Sequence, residues 1–536
     1  MSESVSTRTK TLSDSRDSVS TEGPLVADRW SNNISYRQLV ISSCIGILQL
    51  WWHPYLYDLQ KLLPFIFLYN LFSVIVGYPM FYLELALGVV TKKSVLRCWD
   101  LAPIARGVGF AMLACCIFTA LALGAVSAWC LALFVHSFHS FLPWLHCAAA
   151  ARPACSARHR PLDESSETPA QSFFFNFVLD LKRNGLEGGL GNIVWELGIY
   201  YIISWVLIYL IAVKRIYSYS KLVLFKDVLA YFVLVCFGLG AFRLHGSTTM
   251  FQVCDWTVLL NNMQIWRDAV EYSLIQMTVS QGCLVMLGSY CPKQQHKLGT
   301  TALLAFAASK TSSMLSAFIL GAAHGALLKD FDVNNTNLMA GPSSTMVMWS
   351  DYVARIPGSQ FWSGLFFFAM FVLAISSTAL LVQTIMSTLT GHSIRKIYWA
   401  FLIFICFLFG LIGIITLCTQ GGLYILNFLM EWPVAKPRTL GAGMAAVVVT
   451  YMFGQTTFCE DVYFAVGEYP GVFMRVCWAL TPIFLIGMFV ASMCAGGAAA
   501  RAGALLVALA LLPAALIMLF YLVFKCRVRN IVGNEK

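Results

Sequence analysis

The sequence predicts an all-α polytopic membrane protein with about twelve transmembrane helices. Of its 536 residues, 59% are hydrophobic and 12% are charged, and this balance excludes an ordinary soluble domain. Apolar runs of about 20 residues are long enough to cross a hydrocarbon core. Such runs lie at 36–56, 64–90, 106–142, 192–213, 223–242, 267–289, 299–327, 361–389, 399–417, 438–457, 472–493 and 503–525.

Basic residues recur in every second connection between these runs. Because cytosolic loops are enriched in lysine and arginine, the pattern predicts that both termini are cytosolic. The net charge of +10 comes largely from these clusters and does not indicate nucleic-acid binding. The residues assigned to inside connections are Lys92, Lys93, Arg97, Lys214, Arg215, Lys221, Lys226, Lys293, Lys297, Arg395, Lys396, Lys525, Arg527 and Arg529.

The same count places the loop 143–191 outside the cell. Most of the 17 cysteines lie within apolar runs, whereas Cys147 and Cys155 lie in this loop and could pair in an oxidising compartment. A glycosylation sequon at Asn334 falls on another outside loop, and the sequon at Asn33 falls inside, where it stays unmodified.

The first apolar run is interrupted near its middle by Ser42, Ser43 and Gly46, and Gln49 and Pro54 follow. A broken helix leaves backbone groups that lipid cannot satisfy, so a break survives where it lines a protein-enclosed cavity. Broken helices are typical of solute or ion sites in secondary transporters. The alternative is a Gly/Ser packing face followed by a proline kink.

Several short strings in the chain match one known family in order and spacing. They are Trp51 with Pro54-Tyr55-Leu56, the run from Gly77 to Gly88, Leu142-Pro143-Trp144, Trp266-Arg267-Asp268-Ala269, Leu287-Gly288-Ser289-Tyr290, the run from Ile356 to Trp362, and Phe453-Gly454 with Phe458-Cys459-Glu460-Asp461. On these residues the chain resembles the neurotransmitter:sodium symporters, from Arg29 to the last helix.

The resemblance implies a 5+5 inverted repeat in which helices 1 and 6 are discontinuous around the solute. It places the second break at 278–282, where Gly282 provides a permissive backbone. The domains are then a disordered cytosolic tail at 1–30, a transporter domain at 31–526 and a cytosolic tail at 527–536. The solute-binding residues that it implies are Ser43, Gly46, Leu123, Gln276, Thr278 and Gln281.

The first sodium site of the family corresponds to Cys44, Gln49, Gln276 and Ser309. Glutamine adds a methylene to the short side chains of a hard-cation cage, so a degraded site is expected. Lys310 lies beside Ser309. Its ammonium either takes the place of the sodium ion or extends from the cytosolic part of helix 7 to the interface.

The second sodium site is better preserved in the resemblance. Ser376 and Ser377 supply hydroxyl oxygens, and the carbonyls of Ser42, Ile45 and Leu373 complete the shell, which suits a hard cation. The alternative is that the two serines bond back to their own helix. At the chloride site, Tyr82 and Ser313 match the family whereas Gln276 and Ser309 do not, so chloride binding stays open.

Solute recognition and gating also depart from the family. Leu123 stands at the position of a helix 3 tyrosine and Gly46 at that of an acid, which disfavours monoamines because their charge would be unpaired. Trp52 replaces the outer-gate arginine and Ala445 aligns with its acidic partner. We therefore expect Trp51 and Trp52 to gate. Glu271 is expected to face a vestibule without a solute role; the alternative is that it engages a cationic group. Glu84 is expected to support helix packing.

These observations predict a plasma-membrane secondary active transporter for a small neutral or amino-acid-like solute, with sodium coupling through the one remaining site. The partners expected are that solute and membrane lipid, and no nucleic acid. The alternative is a transport-inactive family member that acts as a receptor, chaperone or assembly partner of another protein. An enzyme is not expected, because the sequence contains no nucleophile–base pair, Walker loop or HExxH string.

Overall fold

The computed structural model describes residues 33–51, 55, 58–147, 155, 167–292, 297–331, 342–390, 395–494, 516 and 519. Within these ranges the chain is almost entirely helical, with two isolated β-bridges. Nine of the described helices are long and apolar enough to cross a membrane. The predicted tails, Trp52, Asn334 and nearly all of the twelfth run lie outside the described residues.

Thirteen helices are numbered here in chain order. They are α1 Asn33–Ser43, α2 Leu59–Thr91, α3 Arg106–His136, α4 Trp195–Ala212, α5 Ile216–Ala241, α6 Met263–Gln276, α7 Cys283–Ser289, α8 Leu298–Phe331, α9 Pro342–Ala354, α10 Ser359–Thr390, α11 Arg395–Thr416, α12 Gly422–Val466 and α13 Val472–Cys494. The second to fifth and seventh to eleventh predicted spans each overlap one of these helices, and the sixth covers α6 and α7 together. The first overlaps α1 only as far as Ser43. The prediction of an all-α polytopic membrane protein is confirmed.

Both predicted breaks are present. The α1 helix ends at Ser43, and a short 3-10 turn resumes at Ile47–Gln49. Between α6 and α7, Thr278, Ser280 and Gly282 adopt positive φ angles of 53°, 59° and 75°. Left-handed backbone cannot continue an α-helix, and it costs non-glycine residues roughly 1–2 kcal/mol each. The two breaks lie five spans apart, as the repeat requires.

The α2 and α7 helices cross in backbone contact at two glycines. A Cβ added to Gly88 would lie 2.1 Å from the carbonyl oxygen of Val285, and one added to Gly288 would lie 2.3 Å from that of Leu85. Such close crossings need residues without side chains. The crossing fixes α7, and with it the end of the second break, against α2.

The loop after α3 contains the predicted disulfide. Cys147 and Cys155 are bonded, with their Cα atoms 5.7 Å apart. The remaining cysteines of the described chain are free, and most are buried, as expected for small apolar side chains.

Candidate functional site

A narrow cavity of about 20 Å³ lies where the two breaks meet. That volume holds about one water molecule, so the space between the breaks is nearly closed in this conformation. Its lining residues come from α1, α3, α5, α7, α10 and the two breaks: Ser42, Ser43, Gly46, Leu48, Gln49, Leu123, Tyr219, Thr278, Gln281, Cys283, Ser377, Leu380 and Leu381. The structure therefore brings together every predicted solute residue except Gln276.

The cavity wall combines apolar side chains with a few polar groups. Leu123 and Leu380 supply apolar surface. Gln281 Nε2 donates to Thr119 Oγ1 at 3.3 Å, and Ser43 Oγ donates to the carbonyl of Val40 at 2.7 Å. Thr278 Oγ1 has no hydrogen-bond partner in the described part of the chain. Such a wall suits a small solute with one or two polar groups.

Two glutamine amides connect the breaks at the position predicted for the first sodium site. Gln49 Oε1 accepts from Gly46 N at 2.8 Å, and Gln49 Nε2 donates to the carbonyl of Gln276 at 2.7 Å. Gln276 Nε2 donates in turn to the carbonyl of Leu48 at 3.2 Å. N–H donors therefore occupy carbonyl oxygens that a cation would need. Cys44 and Ser309, the other predicted ligands, are buried.

The anion site at Tyr82 and Ser313 stays a prediction, and the two side chains make other contacts in the structure. Tyr82 stacks on Trp478 of α13, with ring centroids 6.1 Å apart. Ser313 Oγ donates to Gln276 Oε1 at 2.8 Å, and the tyrosine that shares this acceptor is Tyr69. The amide oxygen of Gln276 thus accepts the hydroxyl protons that an anion would otherwise accept.

Lys310 lies against α2. Its ammonium is 3.3 Å from the ring centroid of Tyr69 and donates to Ser73 Oγ at 2.5 Å. A cation over an aromatic face is stabilised by the ring quadrupole. These contacts hold the ammonium beside Tyr69, on the α2 side of Gln276.

At the predicted second sodium site, a different lysine contacts the carbonyls. Lys226 Nζ donates to the carbonyl oxygens of Ser42, at 2.7 Å, and Ile45. Ser376 Oγ bonds back to Leu373 O at 3.0 Å, as the alternative for this serine proposed. Ser377 Oγ lies beside Gly46, where an added Cβ would be 2.5 Å from it.

The assignment of Lys226 to an inside connection is therefore wrong. Lys226 lies within α5 and is 1% exposed. Lys226 Nζ lies 3.1 Å from Oδ1 of the adjacent Asp227, and this ion pair is the physical reason that the buried ammonium is tolerated. A lysine followed by an aspartate within the predicted apolar span 223–242 was the available signal, because charged residues are rare inside such spans.

A second buried ion pair joins α6 to α12. Lys436 Nζ lies 2.6 Å from Glu271 Oε1, and both side chains are nearly inaccessible. Glu271 was expected to face a vestibule, and the structure instead pairs it. Trp51, the predicted gate residue within the described chain, lies 6.5 Å from the ring of Trp129. Ala445 is buried in α12.

Arg438 of α12 is a further buried charge that sequence reasoning missed. It is 0% exposed, and its Nη2 donates to Thr119 Oγ1 at 3.2 Å. Its Nε and Nη1 have no partner among the described residues. Thr119 also accepts from Gln281, so this guanidinium lies one side chain away from the cavity wall. Glu84, as expected, supports packing, since its Oε1 accepts from Ser280 N at 2.7 Å.

Comparison with known proteins identifies the family. Residues 27–503 match the Sodium:neurotransmitter symporter family. The chain is also 27% identical over 495 residues to the "Sodium-dependent nutrient amino acid transporter 1" of Drosophila grimshawi, which covers 87% of this chain and 76% of the relative. Proteins of this family are solute transporters rather than enzymes, and membership implies the use of sodium. Because the match covers most of its length, the chain belongs to the Sodium:neurotransmitter symporter family.

Proposed function

We propose that this protein moves a small amino-acid-like solute across the plasma membrane by alternating access through the cavity between the two breaks. The observation that carries the proposal is the convergence of both breaks on one cavity lined by Ser43, Gly46, Leu123, Thr278 and Gln281. Broken helices at a shared cavity are the usual arrangement of secondary transporters. The name of the fly relative, a nutrient amino acid transporter, supports the same solute class.

The charges around the cavity favour a solute with a carboxylate over a simple amine. No carboxylate is among the residues given above for the cavity wall. Arg438 offers two guanidinium nitrogens that lack partners among the described residues, and a carboxylate is a group that satisfies two such donors at once. A biogenic amine would instead find no carboxylate partner among those lining residues. We therefore place amino acids ahead of monoamines.

Uptake into proteoliposomes tests this function. Purified protein should accumulate one or more labelled amino acids above empty liposomes, in a saturable manner and in the presence of a sodium gradient. Leu123→Phe should reduce uptake at least about tenfold, because the larger ring fills a narrow cavity. Leu224→Phe is the matched control, since Leu224 is 59% exposed on α5. Absence of uptake for every amino acid and osmolyte under any gradient would contradict the proposal.

One observation favours a second candidate, a transport-inactive member that assists another membrane protein. The Lys226 ammonium donates to the carbonyls of Ser42 and Ile45, and Gln49 donates to the carbonyl of Gln276; all three residues were predicted to bind sodium. Surface delivery of a partner that co-purifies with this chain tests this reading. A partner whose delivery needs the chain, combined with no uptake, would favour it. Normal uptake by the purified chain alone would exclude it.

We further propose that both termini are cytosolic. The support is the distribution of lysine and arginine between alternate connections, with Lys226 now removed from that set. Epitope tags at either end should be inaccessible to antibody in intact cells and become accessible on permeabilisation. Labelling of either tag in intact cells would overturn the orientation.

A further inference from the structure

The end of α1 presents backbone carbonyls inside the protein. The last carbonyls of a helix lack intrahelical partners, and the helix dipole makes this end electronegative. Ser42 O accepts from Ile45 N at 3.1 Å, which leaves it a second lone pair. Since Ser42 and Ile45 are buried, their remaining acceptor capacity has to be met by a donor or a cation from the protein or from solution.

Lys226 meets that need from within the chain. An ammonium has three N–H donors, and three acceptors surround this one: Ser42 O, Ile45 O and Asp227 Oδ1. Asp227 is held in place in turn, because Ser42 Oγ donates to its Oδ1 at 2.9 Å. Ser42, Lys226 and Asp227 therefore form one hydrogen-bonded group in which each residue contacts the other two.

We propose that the Lys226 ammonium is the resident cation of the first break, and that it excludes a free sodium ion from the carbonyls of Ser42 and Ile45. These two carbonyls belong to the predicted second sodium site. One set of oxygen lone pairs cannot serve both an ammonium at hydrogen-bond distance and a sodium ion. Sodium used by the protein then has to act elsewhere.

The charges around the group agree with this assignment. Asp227 from α5 balances Lys226, and the other titratable side chains of the described residues that interact with the pair are Tyr219 and Tyr231 on α5 and Cys44 on α1. These three are neutral in the ordinary state. A sodium ion added to the balanced pair would bring a buried charge without a counter-charge, which is unfavourable in a low-dielectric interior.

Thermal unfolding of the purified full chain in sodium chloride and in choline chloride tests the proposal without reference to transport. Ser377, a predicted ligand of the same site, lies beside Gly46. Ser377→Ala should leave the sodium response of the wild-type protein unchanged. Lys226→Ala should lower the melting temperature in choline, and sodium should restore about 2–4 °C of it because the vacated carbonyls then bind the ion. Lys221→Ala on the same helix, where the side chain is exposed, should behave as wild type.

If Lys226→Ala does not fold, the melting temperatures of the wild-type protein and Ser377→Ala in the two salts still test the proposal. A sodium-dependent rise in the wild-type melting temperature that Ser377→Ala removes would place sodium in this site and overturn the proposal. A folded Lys226→Ala protein whose response to sodium equals that of wild type would also contradict it. Failure of uptake in proteoliposomes would bear on the proposed function alone.

Discussion

Gly46 sets how closely the first break approaches α10. A Cβ at this position would lie 2.5 Å from Ser377 Oγ and 3.5 Å from Gln49 Oε1, so a methyl group there would require the Ser377 hydroxyl to move. The adjacent amide of Gly46 also donates to Gln49, which makes the backbone position itself part of the site.

We predict that Gly46→Ala reduces uptake at least about tenfold, because the methyl group displaces Ser377 and narrows the cavity. Ser377→Gly in the same chain should restore part of the activity by removing the colliding hydroxyl. Gly487→Ala is the control, since nothing lies within 4 Å of a Cβ there. Initial rates of amino acid uptake measure all three. Equal uptake rates for Gly46→Ala and wild type would show that the close contact between Gly46 and Ser377 is unimportant for transport.

At the scale of helices, the Glu271–Lys436 pair connects α6 to α12 beside the cavity. Both charges are buried, so each needs the other as its counter-charge. Loss of one partner leaves the other charge buried and unpaired.

We predict that Glu271→Gln lowers the free energy of unfolding by about 3–5 kcal/mol. Combining it with Lys436→Met should recover most of that loss of stability, because both charges of the pair are then removed. For comparison, Lys93→Ala removes an ion pair with Asp100 in which the lysine side chain is 49% exposed, and it should cost less than about 1 kcal/mol. Denaturation followed by tryptophan fluorescence gives the three values. A double variant no more stable than the single one would contradict this account.

The crossing of α2 and α7 depends on Gly88 and Gly288. Gly88→Ala forces backbone atoms apart, and we predict a loss of at least about 1–3 kcal/mol in the free energy of unfolding. Gly410→Ala on α11 meets nothing within 4 Å and should be neutral or stabilising by up to about 1 kcal/mol. The melting temperatures of the two variants decide the matter, and similar values would mean that the crossing relaxes easily.

Local chemistry explains which parts of this arrangement the sequence predicts. The breaks follow from Ser42, Ser43 and Gly46 within an apolar run, and the spans follow from length and hydropathy. The partner of a side chain depends instead on which helix face meets which neighbour. Tyr69 and Tyr82 lie on the same helix, and only packing shows that Tyr69 shares an acceptor with Ser313. Lys226 was misread because a lysine near a span end is usually a loop charge.

At the scale of the whole molecule, the loop after α3 is closed by the Cys147–Cys155 bond. We predict that replacing both cysteines with serine costs about 2–3 kcal/mol, the loop-closure entropy expected for so short a separation. Replacing Cys236 and Cys254, which are free, should have little effect. Cell-surface biotinylation and thermal unfolding compare the variants. Unchanged surface delivery and stability of the double serine variant would show that the bond is dispensable.

Three connections link helices around the cavity: Lys226 joins α5 to the first break, Glu271 joins α6 to α12, and the glycine crossing joins α2 to α7. The first two depend on buried charges, which can separate only where water or another polar group takes over their hydrogen bonds. The third is backbone against backbone and cannot slide without a clash. During the transport cycle, α2 and α7 must therefore move together as one rigid body. The hinge for this movement is the stretch 278–282, where three residues have positive φ angles. Substitutions that stiffen the backbone there should slow turnover more than they weaken solute affinity.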